Sequence, residues 1–149
     1  MKNILAKQTI WSYLLLAASI LLIPGFIIFM INSTTGYLYG SNLSILVVIL
    51  SIVGILGGIA LALFGDKLGR FAGIGYVLVA ACAAISIAGI AWSVEAVVGD
   101  IYFIPVNHPE AEDTTWTLAI VTLVFYALSF LAATAACFGG KLYKEAPAQ

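Results

Sequence analysis

Four long apolar runs, at 10–31, 43–64, 71–98 and 116–138, constrain this chain more than any other feature. A helix rises about 1.5 Å per residue and a bilayer's hydrocarbon core is about 30 Å thick, so about 20 apolar residues suffice to cross it. Each run meets that length. None contains Lys, Arg, Asp or His, and the one carboxylate inside a run is Glu95, near the end of the third. Strand-like alternation is absent, so a β-barrel is not expected. With 63% hydrophobic and 9% charged residues, the chain is far more apolar than a soluble domain, at roughly 45–50% and about 25%. A water-soluble globule of this size could not bury that surface. A disordered chain is excluded on the same ground. Six basic residues against seven acidic ones leave no basic face for nucleic acid.

Orientation follows from the basic residues. Lys2 and Lys7 precede the first run, Lys67 and Arg70 separate the second from the third, and Lys141 and Lys144 follow the fourth. With both termini on one side, all six share it, and the positive-inside rule makes that side cytoplasmic. The opposite side carries Asp100, Glu110, Glu112 and Asp113. The aromatic residues agree, with Trp11 and Tyr13 at the inner boundary and Trp92, Tyr102 and Trp116 toward the outer one. The expected fold is all-α: a single four-span domain over 1–149, a four-transmembrane-helix bundle of two antiparallel hairpins with cytoplasmic termini. The positive residues before the first run are signal-like, but the run is long and no A-x-A site closes it, so it reads as an uncleaved span.

The outer loops are expected at 32–42 and 99–115. The second has an apolar, β-prone stretch at 101–106, two helix-breaking prolines, Pro105 and Pro109, and an acidic second half. A short inner turn makes the second and third helices antiparallel neighbours. The ends of the second and fourth runs share Phe, Gly, Lys and Leu at matching positions (64–70 and 138–144), which two parallel hairpins or simple convergence on glycine helix ends would produce.

Small residues recur at four-residue spacing. Gly54, Gly58 and Ala62 form one ridge, Ser129 and Ala133 another, and Gly73 opens the third run. Such ridges let helices approach closely in lipid. Packing within the chain is the simpler use. The sharper one is that a ridge faces another protein. Pro24, followed by Gly25, lies mid-span, where it shapes or bends the helix.

Little in the sequence carries chemistry. Cys82 and Cys137 both fall inside runs with no C-x-x-C, so they read as small packing residues. No haem ligand pair exists, since His108 is the only histidine. A proton-coupled transporter places a carboxylate near the midplane. Glu95 instead falls at the outer edge, as a rim residue or a cation contact in an outer vestibule. Tyr126 lies near the midplane, where its hydroxyl needs a partner and marks a polar spot or small cavity. His108, Glu110, Glu112 and Asp113 gather in the second outer loop without a zinc or EF-hand spacing, so no metal or cofactor is expected. They are contact candidates, and Glu112 and Asp113 also suit a helix N-terminus. The hydroxyls inside the runs have no base beside them, and an enzyme is not expected.

The leading expectation is a small membrane subunit that acts through helix–helix association and stabilises or regulates a larger complex such as a transporter. It would reside in lipid, in a bacterial cytoplasmic (inner) membrane on the charge asymmetry, with other membrane chains or its own copies as partners. A homo-oligomeric channel or facilitator using Pro24, Tyr126 and Glu95 is one alternative. A lipid- or hydrophobic-ligand-binding protein is another.

Overall fold

A computed structural model of the chain describes residues 9–35, 44–65, 67, 72–103 and 110–139. Within them lie five helices: α1 (Ile10–Thr34), α2 (Ile45–Phe64), α3 (Ala72–Ser93), α4 (Glu95–Phe103) and α5 (Glu110–Phe138). All but α4 are long and apolar enough to cross a membrane. Ser44 caps α2 by accepting from the Val47 N–H at 3.5 Å, satisfying one of the donors that a helix start leaves unpaired.

The four long helices form a closed bundle in the cyclic order α1, α2, α3, α5, with α1 against α5 the most extensive interface. Neighbours run antiparallel, as their contacts show. Between α1 and α5, Ser129 Oγ donates to the Ala18 carbonyl (2.8 Å) and Asn32 Nδ2 to the Thr115 carbonyl (3.1 Å). Between α1 and α2, Ser12 Oγ donates to the Ala62 carbonyl (3.1 Å). Gly54 and Gly58 of α2 lie beside Cys82 and Val79 of α3, while Gly75 and Gly89 of α3 lie beside Leu61 and Val47 of α2. The start of α1 and the end of α5 share one end of the bundle, where Trp11 lies on Gly139.

The interior is small and hydroxylated, and the exterior is greasy. Buried stripes recur at alternating three- and four-residue steps, the geometry of helices packing nearly antiparallel. On α5 the stripe is Glu112, Thr115, Ala119, Thr122, Tyr126, Ser129, Ala133 and Ala136. Ile20, Ile27, Leu56, Val77, Val124 and Leu131 are among the large apolar side chains left exposed. In water this distribution would be inverted. In lipid it is the stable one, because hydrocarbon solvates the aliphatic faces and small residues let backbones approach.

The structure corrects several boundaries. The third run, expected as one span over 71–98, ends at Ser93, and α4 restarts at Glu95. Ser93 Oγ takes the Ile90 carbonyl at 2.8 Å. The Val94 N–H is left with the Ala91 carbonyl, a tighter i−3 bond at 3.4 Å, before Val98 N–H bonds back to Val94 at 3.0 Å. A side chain competing for helix carbonyls breaks the ladder at this point. The expected loop 99–115 is helical over 99–103 and again from 110. Its β-prone residues Ile101–Phe103 therefore continue a helix, and α5 starts six residues before Trp116. Glu110, Glu112 and Asp113 occupy its first turn, where negative charge offsets the positive end of the helix dipole. Asn32 and Ser33, expected in the first loop, belong to the last turn of α1 and are buried. Gly65 ends α2 in a right-handed conformation (φ −64°, ψ −17°), so its value there is not left-handed freedom. Pro105, Pro109, His108 and most of the 64–70/138–144 similarity lie outside the described residues.

Candidate functional site

The turn at Val94 builds a groove. It directs Val94 and Val97 into the bundle, where they pack on Ala119 of α5 with Val98, Ile101 and Trp116 around them. Glu95 is then the first residue of α4, well placed against its helix dipole. Ala91, Val94, Glu95 and Val98 form one wall of a groove of about 260 Å³, and Trp116 and Leu123 of α5 form the other. The structure thus places Glu95 at a concave surface, opposite an indole. Trp116 was expected only as an interfacial anchor, and nothing in the sequence pairs it with Glu95 because the break at Val94 carries no proline or glycine.

A second groove, of about 520 Å³, lies between α2 and α3 at the opposite end. Gly57, Ala60, Leu61, Phe64, Gly75, Leu78 and Lys67 line it. The Lys67 ammonium stands 5.9 Å from the centre of the Phe64 ring, within the range of a cation–π contact.

Tyr126 lies wholly inside the bundle and contacts Ser51 at 2.5 Å. Ser51 also bonds the Val47 carbonyl at 2.6 Å. Since Ser51 has one proton to give and that carbonyl can only accept, the Tyr126 hydroxyl donates to Ser51 Oγ. Tyr126 also explains the pair at 24–25. A Cβ on Gly25 would stand 3.0 Å from Phe125 Cβ and from the Tyr126 ring, so glycine there makes room for α5. α1 continues through Pro24 as one helix.

The small-residue ridges are used within the chain. Gly54, Gly58 and Ala62 are buried, as are Ser129 and Ala133. A methyl group at Gly58 would meet the Ser19 hydroxyl, and one at Gly54 would lie 3.1 Å from Leu22. Gly73 differs: it is exposed, with open space where a side chain would go. Gly54, Gly58, Ala62, Ser129 and Ala133 pack within the chain, and Gly73 is left on the outside.

Of the acidic contact candidates, Glu110 and Asp113 are exposed on the first turn of α5. Glu112 is corrected: it is 3% exposed, at the head of the buried stripe, and its Oε2 has no hydrogen-bond partner. It is not a surface contact. Helix formation from Glu110 turns it inward, three residues before Thr115, which binds Asn32. Among the described residues no three His, Cys, Asp or Glu side chains come together as metal ligands. Comparison of the chain with protein-family models, with curated proteins and with solved structures gives no match.

Proposed function

We propose that this chain is a small integral membrane subunit that acts through lateral association, stabilising or regulating a larger membrane complex such as a transporter. The observation that carries this reading is the distribution of side chains. The interior is filled by Tyr126, Leu15, Leu22 and a set of buried serines and threonines, while the exposed faces of all four long helices are large and apolar. A bundle whose small ridges are spent on itself meets other molecules through those faces and the two grooves. All six basic residues fall on one side if the termini share it, which supports reading that side as cytoplasmic; a bacterial inner membrane is part of the same proposal.

Photocrosslinkers placed singly at Leu56 of α2 and Leu131 of α5, both well exposed, test the reading in native membranes. A partner chain captured from one face, and lost when a tryptophan replaces a neighbouring exposed residue on that face, is the expected result. Adducts with lipid alone from both faces would argue against association with protein.

A further inference from the structure

We propose that the groove between α3, α4 and α5 is a binding site for a small lipophilic organic cation, an amine or quaternary ammonium group carrying hydrocarbon. The inference stands apart from lateral association and needs no partner chain. Five of the six lining residues, Ala91, Val94, Val98, Trp116 and Leu123, are apolar, and the sixth is Glu95. Each alternative ligand class fails on one of these features. An anion would face a lone carboxylate. A neutral hydrocarbon gains nothing from a charged rim. A hard metal ion needs several oxygen ligands, and Glu95 supplies one carboxylate in a wall otherwise without oxygen-bearing side chains.

An organic cation satisfies every part of the lining. Its charge is met by Glu95, beside an apolar wall whose low dielectric strengthens attraction. The Trp116 indole offers the best aromatic face for a cation. Ala91, Val98 and Leu123 cover the hydrocarbon, as apolar pockets with one placed polar group do. Glu95 is also uncommitted to a described basic residue: Lys67, the one basic side chain among the described residues, stands at the other end of the bundle.

Glu95 opens α4, so a purely structural role at that helix start is the competing explanation. The experiment separates the two. The full chain is purified in dodecyl maltoside, a non-ionic detergent without a competing headgroup charge. Trp11→Phe and Trp92→Phe leave Trp116 as the only indole. Benzyltrimethylammonium is titrated while Trp116 emission is followed, with its neutral isostere neopentylbenzene and the anion benzenesulfonate as controls. The expected result is a saturable change for the cation alone, at least tenfold weaker in Glu95→Gln, with Glu95→Asp recovering part of it and the Glu95→Gln variant still unfolding cooperatively, its midpoint lowered only slightly by the lost helix-dipole contact. Ala91→Phe, which fills the groove and leaves the carboxylate, should abolish saturable binding. A non-saturable cation response, equal binding of the neutral isostere, or a Glu95→Gln affinity within twofold of the parent would overturn the proposal. If Glu95→Gln fails to fold, Ala91→Phe decides: saturable binding that survives it overturns the site.

Discussion

The Tyr126 hydroxyl is held by Ser51, and Ser51 by Val47, a short relay in the middle of the bundle. Interhelical hydrogen bonds in membranes average about 0.6 kcal/mol and reach about 1.7. Tyr126→Phe leaves Ser51 bonded to its own helix, so its cost should be at the low end of that range. Ser51→Ala leaves the tyrosine hydroxyl buried without an acceptor and should cost more. Equal unfolding midpoints for the two variants, measured in the same detergent, would contradict the relay. Glu112→Gln, which keeps the shape and puts another polar group at the unpartnered position, should move the midpoint little. A loss of more than about 2 kcal/mol would mean that the carboxylate is held as an ion by its surroundings. The need of Tyr126 for a partner was legible in the sequence, since a phenol at midplane must bond something. The identity of the partner was not. Hydroxyls occur on all four spans, and which of them meet depends on a register between helices that no single helix encodes. Glu112 was misread for a different reason: an acidic stretch after Pro109 reads as loop, and only the helix starting at Glu110 turns that carboxylate inward.

Across the elements, glycine position separates packing from tolerance. Gly58 meets Ser19 closely, whereas a side chain at Gly57 would find open space. Gly58→Leu should therefore disrupt the α1–α2 contact and unfold or aggregate the chain, while Gly57→Leu should fold normally and fill part of the groove between α2 and α3. Similar behaviour of the two in size-exclusion profiles would refute the register. Gly25→Ala is intermediate, since Phe125 Cβ belongs to a packed helix and can shift little. An overpacking cost of about 1–3 kcal/mol is expected, read from thermal unfolding. The number and identity of the long helices were legible, because hydrocarbon thickness sets a length that the apolar runs satisfy. Their ends were not. Ser93 through a local hydrogen bond, Asn32 through a bond across to the Thr115 carbonyl of α5, and the acidic turn at Glu110 through the helix dipole all bear on those ends, and none of these leaves a mark in hydropathy.

On the scale of the whole molecule, the small-residue ridges could be read from spacing alone, but their direction could not. A four-residue repeat packs equally well against a neighbouring span or a neighbouring protein. The fold turns Gly54, Gly58, Ala62, Ser129 and Ala133 inward, so among the described residues the aliphatic faces and the two grooves are the surfaces left for association. Spin labels at Leu56 and Leu131 should accordingly be accessible to oxygen dissolved in the bilayer, and a label at Ala133 should not. Reversed accessibilities would refute the arrangement. The groove bearing Glu95 was half legible: the carboxylate was conspicuous in an apolar run, but the indole that faces it arrives from another helix. The central claim, that this chain works as part of an assembly, is tested most directly by native mass spectrometry of the protein extracted from its own membrane in mild detergent. A complex in which the 15.7 kDa chain is accompanied by a different chain at fixed stoichiometry is the predicted result. A lone chain, or a homogeneous oligomer of itself, would contradict it.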